Sequence, residues 1–203
     1  MAVRGELRAV LHAPARVPQS TAWNLPQLAD LLPEAPLRPA AVLVGLREHP
    51  CGLRVLLTRR QEALRHHGGQ ISFPGGRVDG SDGGPLAAAL RETREEVGLP
   101  GSAIEPLGWL DPYATITGFH VFPLVAVLDP EAVLRPNPDE VAEAFEVPLD
   151  FLLDPGNARA FQVEWRGRPR ELIEFHWGGH RIWGATAAML VNLRQRLQSL
   201  DAA

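Results

Sequence analysis

The sequence predicts an α/β domain of the α+β kind, with a mixed β-sheet covered by helices. Three observations lead there. Val- and Leu-rich runs of strand length fill the middle of the chain. The segment from Pro85 to Val97 carries the start and stop signals of a helix, and a second long helical pattern closes the chain. Strands and helices follow one another without βαβ repetition, which argues against a doubly wound parallel sheet. A chain of 203 residues, 45% hydrophobic and 22% charged, is expected to form one domain with a substantial core.

Taken in order, Gly5 to His12 (GELRAVLH) is amphipathic and helical, and a second short helix is expected over Leu25 to Leu32. Pro14, Pro18, Pro26 and Pro33 punctuate this region. Residues 1–39 are thus expected to be an N-terminal helical cap on a core spanning 40–203. From Ala40, AAVLVGL is an apolar run, REHPCG a turn and LRVLLTRR a second run, which together predict a hairpin of central strands. LRHHGGQISFPGG then supplies a glycine-rich loop, a short strand at Ile71 to Phe73 and a Pro-Gly-Gly exit.

Pro85 suits the first turn of the next helix, where a missing N–H costs nothing, and Gly98 suits the position that ends it. Strands follow at Leu107 to Leu110 and Phe119 to Leu128, joined by DPYATITG as an irregular connection. From Glu140, a loop leads to a short strand at Phe145 to Val147 and a helical turn at Leu149 to Leu153. Phe161 to Trp165 and Leu172 to Trp177 alternate around RGRPR, a hairpin signal. The final helix runs from Ala185 to Leu197, with Ala188, Leu190, Val191 and Leu197 expected to face the core.

Composition narrows the function. A net charge of −4 and a pI near 6.0 offer no domain-wide basic excess for nonspecific nucleic-acid binding. The single cysteine, Cys51, excludes an intramolecular disulfide and a multi-cysteine zinc site, so a reducing cytoplasm is the expected location. Its place in a turn makes it incidental rather than nucleophilic. No signal-peptide h-region or run of 18 apolar residues suggests export or a membrane. Trp23, Trp109, Trp165, Trp177 and Trp183 sit in strand-like or helix-start contexts, which favours core packing over base stacking.

Chemistry concentrates in Arg91-Glu92-Thr93-Arg94-Glu95-Glu96. On a helix, Glu95 lies about 60° to one side of Glu92 and Glu96 about 40° to the other, so three carboxylates share one sector. Leu86, Leu90, Thr93 and Val97 fall on a core-facing sector. Like charges at this spacing destabilise a helix by a few tenths of a kcal/mol. A hard divalent cation among them would explain the cluster; a solvated acidic face is the alternative. Arg91, four residues before Glu95, is placed to orient that carboxylate. Arg59, Arg60, Arg65, His66 and His67 form a local basic cluster, and the adjacent histidines do not have zinc-site spacing.

Gly76 followed by Arg91-Glu92-Thr93-Arg94-Glu95-Glu96-Val97-Gly98-Leu99 resembles the Nudix box, G-x5-E-x7-R-E-U-x-E-E-x-G-U with U aliphatic. Thr93 replaces the aliphatic residue. Asp82 stands where the first Glu is expected, and eight residues rather than seven separate it from Arg91. Coenzyme A diphosphatases of this family lengthen the same loop. Their upstream signature, L-L-T-x-R-x-x-x-L-R-x-H-x-G-Q-x-x-F-P-G-G, is filled here by Leu56, Leu57, Thr58, Arg60, Leu64, Arg65, His67, Gly69, Gln70, Phe73, Pro74, Gly75 and Gly76.

The resemblance implies a Nudix fold, an α/β/α sandwich with a mixed sheet. It implies metal-dependent hydrolysis of the diphosphate of coenzyme A or an acyl-CoA, giving 3′,5′-ADP and 4′-phosphopantetheine or its acylated form. Mg²⁺ or Mn²⁺ would be held by Glu92, Glu95, Glu96 and the carbonyl of Gly76. Glu95, Glu96 and Arg91 join the catalytic set. A general base comes from the box helix or from a later loop, where Glu140 and Glu143 are available. Glu140, beside Asp139 in a flexible, proline-flanked loop suited to closing over a substrate, is the preferred candidate. Arg60, Arg65, His67 and Gln70 are the implied substrate-binding residues; arginine's fork suits phosphate. The implied partner is the small-molecule substrate, with a homodimer left open. Rival readings are another nucleoside diphosphate derivative such as NADH, a nucleotide sugar or a nucleoside triphosphate, and a noncatalytic nucleotide-binding module.

Overall fold

The apolar run around Ala40 forms β1 (Arg38–His49), and a tight turn at Pro50-Cys51 returns it antiparallel as β2 (Gly52–Arg60). The computed structural model describes residues 2–28, 30–32, 35–63, 68–165 and 167–201. β1 separates from β2 beyond Leu46. The gap is filled by β3 (Ile71–Ser72), which pairs with β2, and β4 (Gly75–Arg77), which pairs with Ala40, Ala41 and Val42 of β1. On its other side β1 runs parallel to β7 (Phe119–Leu128), from the pair Arg38 and Phe119 to the pair Arg47 and Leu128. β5 (Ile104–Trp109), β6 (Tyr113–Ala114) and β8 (Val141–Pro148) complete, among the described residues, a mixed eight-stranded sheet.

Alternation along β1 and β7 sorts the core into two layers. Ala41, Leu43, Leu56, Leu124, Ala126 and Leu128 face α3 (Pro85–Val97), which contributes Ala88, Ala89 and Val97. Val44, Leu46, Val55, Leu57, Val125 and Val127 face the other way. That layer holds α1 (Ala2–Val10), α4 (Leu149–Leu153), α5 (Gly184–Asp201) and a second sheet of β9 (Arg159–Trp165), β10 (Arg168–Trp177) and β11 (His180–Trp183). Leu7 and Leu11 of the N-terminal segment are buried in it beside Leu190 and Leu193 of α5. α2 is a short turn of helix, Leu25–Leu28.

Several elements depart from expectation for identifiable reasons. β8 begins at Val141, not Phe145, because seven residues of β2 give its weakly strand-forming Glu and Ala residues a pairing partner. β11 was unforeseen; Gly178 and Gly179, with φ of 54° and 85°, make the tight turn that folds it onto β10. β4 and β6 are short segments ordered by pairing with β1 and β7. α5 buries Ala187, Met189, Leu190 and Leu193, whereas Ala188, Val191 and Leu197 are only half-buried. Trp109 is a core residue as expected, but Trp165 is exposed and Trp183 lines a cleft. No helix among the described residues is long and apolar enough to cross a membrane.

Candidate active site

α3 starts at Pro85 and ends at Gly98, whose φ of 73° is left-handed and whose N–H bonds Arg94 O. Thr93, at the aliphatic position of the box pattern, is fully buried. Its hydroxyl donates to Ala89 O at 2.7 Å, so the polar atom is satisfied within the helix. One turn of this helix then presents Glu92, Glu95 and Glu96.

The three carboxylates have different surroundings. The Glu96 side chain is 2% exposed. Its Oε2 accepts the Gly75 N–H at 3.2 Å and its Oε1 accepts Arg60 Nη1 at 3.2 Å. Burial pushes its pKa up to about 7; the Arg60 charge and the Gly75 N–H oppose the shift, while Glu92 and Glu140 add to it. Burial also raises Glu92, against the pull of Arg91 and with the repulsion of Glu95 and Glu140. Glu95 is 51% exposed and accepts Arg91 Nη1 at 2.9 Å.

Arg91 is a hub. Its Nε and Nη2 grip Asp82 through both oxygens at 3.0 Å, Nη1 also donates to Glu92 at 3.0 Å, and Nη2 donates to Arg77 O at 3.1 Å. These acceptors hold the guanidinium firmly protonated, with Asp82 contributing most. Arg91's hydrogen bonds in turn hold the Asp82 carboxyl below its ordinary value. The extra loop residue is taken up in a turn, in which Asp82 N–H bonds Asp79 O and Asp82 Oδ2 accepts the Asp79 N–H. Asp82 therefore reaches Arg91 despite the longer spacing.

Two glycines shape the floor. A Cβ at Gly76 would come under 3.0 Å from the Glu92 carboxylate, and one at Gly75 would meet the backbone of Ala41 and Val42. At Gly75 the obstacle is the β1 backbone, which cannot give way, whereas at Gly76 it is the movable end of the Glu92 side chain. Gly75 was not among the expected site residues; the Gly-Gly pair entering the box was its signal.

Glu140 lies beside this cluster, and its charge contributes to the shifts of Glu92 and Glu96. Its loop is docked onto α3 rather than free. Asn137 N–H bonds Glu96 O and Arg135 N–H bonds Val97 O, each at 2.8 Å, and Gln61 N–H bonds Glu140 O. Glu143 is directed elsewhere, to Arg59 and His180, each at 3.4 Å.

Arg59 and Arg60 are consecutive on β2 and serve opposite faces. Arg60, expected to bind substrate, has its guanidinium on Glu96 instead, because that buried carboxylate lies on its side of the sheet. Gln70 lines a cleft of about 420 Å³ with Arg59, Gly69, His180, Arg181 and Trp183. Arg65 and His67 lie outside the described residues. Among the described residues no three acidic, histidine or cysteine side chains converge as a ready-made metal set; arginines occupy the carboxylates. The donor chemistry nonetheless fits a hard cation, with three carboxylates on one helical turn against a main chain stripped of Cβ atoms.

A mixed sheet with this acidic, glycine-floored helix on one face defines a Nudix-type phosphoanhydride hydrolase architecture. The NUDIX domain profile matches residues 36–165, and the chain belongs to the Nudix hydrolase family. It is 40% identical over 157 residues to the uncharacterized Nudix hydrolase NudL of Escherichia coli K12, covering 77% of this chain and 81% of that protein. The protein of the same description from Cronobacter sakazakii matches equally. Among solved structures, the Nudix hydrolase RenU from M. smegmatis superposes with a TM-score of 0.53 at 22% identity, covering 83% of this chain and 88% of its own. A MutT/nudix family protein from Enterococcus faecalis gives 0.55 at 18% identity, covering 89% and 71%. These two likenesses show the fold.

Proposed function

We propose that this Nudix hydrolase splits the diphosphate of coenzyme A or an acyl-CoA, adding water across the P–O–P anhydride to give 3′,5′-ADP and 4′-phosphopantetheine or its acylated form. The observation that carries the reading is the run Leu56 to Gly76, which fills the upstream pattern of coenzyme A diphosphatases and whose Arg60, Gly75 and Gly76 lie against the box. Arg60 and Gly75 touch Glu96, and Gly76 lies against Glu92.

Glu92, Glu95, Glu96 and the Gly76 carbonyl would hold Mg²⁺ or Mn²⁺. Such an ion neutralises diphosphate oxygens and lowers the pKa of a water at neutral pH. Around it, Arg91 orients Glu92 and Glu95, and Asp82 fixes Arg91. Glu140, held beside the cluster by the docked 135–140 loop, is the group assigned to take the proton from the attacking water.

The test is incubation of the pure protein with coenzyme A and Mg²⁺ or Mn²⁺, followed by separation of products. 3′,5′-ADP should appear only without chelator, and coenzyme A should be preferred over its 3′-dephospho form, NADH and nucleotide sugars. Absence of 3′,5′-ADP above the chelator control removes the proposal.

A further inference from the structure

Two arginines serve the three box carboxylates, and they are held very differently. Arg91 makes a two-oxygen grip on Asp82 and further contacts to Glu92, Glu95 and Arg77 O, so it is part of the scaffold. Among the described residues, the Arg60 side chain has one partner, Glu96, through one nitrogen at 3.2 Å. Arg60 sits where the pairing of β2 with β8 shifts register, and its side chain is 26% exposed. It can therefore withdraw into water without leaving a buried unpaired cation. Glu96, 2% exposed, cannot lose its counter-ion so cheaply.

We propose that Arg60 is an exchangeable counter-ion: it occupies Glu96 until a divalent cation replaces it, and its released guanidinium then turns to the anionic groups of the substrate. The inference rests on the reading of Glu96 as a metal ligand and is independent of which nucleotide is hydrolysed. A cation and Arg60 compete for the same carboxylate, since two positive groups on one oxygen repel. An anionic substrate that captures Arg60 removes that competitor. Metal and substrate therefore assist each other's binding, and by linkage the assistance is reciprocal. Arg60 thus has two consecutive partners, which reconciles its place in the upstream signature with its contact to Glu96. It acts on the metal through Glu96 and is a positioning residue until substrate arrives.

The experiment is Mn²⁺ titration of metal-free protein at pH 8 without substrate, followed by the electron paramagnetic resonance signal of free Mn²⁺. Arg60→Gln should bind Mn²⁺ about 3- to 10-fold more tightly than the unaltered protein and gain more melting temperature on Mn²⁺ addition, whereas Arg60→Lys should stay near the unaltered affinity. Equal or weaker Mn²⁺ binding by folded Arg60→Gln overturns the inference. A measurement that needs no variant is the Arg60 Nε–H resonance, which should shift on Mg²⁺ addition by more than that of Arg91, whose Nε stays bonded to Asp82; an unmoved Arg60 signal also overturns it. Glu96→Gln separates the two levels. Mn²⁺ binding that is lost in Glu96→Gln but unmoved in Arg60→Gln defeats the exchange alone. Binding that survives Glu96→Gln unchanged defeats the metal assignment and the exchange with it.

Discussion

Glu96 shows how one buried carboxylate sets stability against function. Folded, it binds its proton up to a pKa of about 7, against an ordinary value of 4.5. Between those values the folded state keeps a proton that the unfolded chain has lost, so stability falls as pH rises through that window, by about 3 kcal/mol in total. Glu96→Gln, which cannot ionise, should match the metal-free parent in acid and be more stable at pH 8, while turnover falls by orders of magnitude. Urea melts of both proteins from pH 5 to 8 check this; a pH-independent difference would refute it. The two floor glycines make a second, contrasting pair. Gly76→Ala collides with the movable end of Glu92, so it should lower turnover about 100-fold with a melting temperature within a few degrees of the parent. Gly75→Ala meets backbone at a φ of 152° and should instead lose about 2 kcal/mol or more of stability. Melts and rates on the two variants distinguish a positioning glycine from a packing glycine.

At the scale of elements, α3 and the loop before it work as one unit through the Asp82 to Arg91 grip. Asp82→Asn keeps the shape but removes the charge that strengthens the two-oxygen grip on Arg91. Turnover should drop about tenfold with KM changed less than twofold, because the variant loosens Glu92 and Glu95 without touching substrate. Steady-state kinetics decide it, and a pure KM effect would count against the positioning role. This unit also marks what could be read from sequence. α3 was legible to its last residue because Pro85 and Gly98 are local signals that act within one turn. The partner of Arg91 was not, since the reach of Asp82 depends on how the Asp79 to Asp82 turn closes. β8 depends on its register with the distant β2, and no local pattern in VAEAFEVP announces it, whereas β11 carried a local signal, the Gly178-Gly179 turn that folds it onto β10. Arg60 is the sharpest case: its residue type and motif position were plain, but which face of β2 it serves, and that Glu96 waits there, are properties of the assembled sheet.

Across the whole molecule, the two ends of the chain close over the face of the sheet opposite α3. Leu7, Val10 and Leu11 share a core with Leu190 and Leu193, and His12 exchanges backbone bonds with Trp109 at 3.0 and 2.9 Å. Asp111 joins these parts. It takes His12 Nε2 at 2.9 Å, Asn192 Nδ2 at 3.0 Å and Arg196 Nη1 at 2.8 Å to each oxygen, and Arg196 Nε reaches back to Val10 O at 2.6 Å. Burial opposes ionisation of Asp111, but the bonds from His12, Asn192 and Arg196 outweigh it and hold the pKa below its ordinary 3.8. A depressed carboxylate stabilises the fold above its unfolded value and loses that contribution as pH falls through the folded one. Arg196→Ala should therefore cost about 2 kcal/mol at pH 7, leave one cooperative transition, and change turnover less than twofold because the box helix is on the other face. As pH falls below 3.8 and Asp111 takes up its proton, the difference between variant and parent should shrink toward what the Arg196 bond to Val10 O alone contributes. Urea melts from pH 7 down to pH 3 measure it. A stability gap that persists undiminished into acid would mean that Arg196 acts through packing of its aliphatic stem rather than through Asp111.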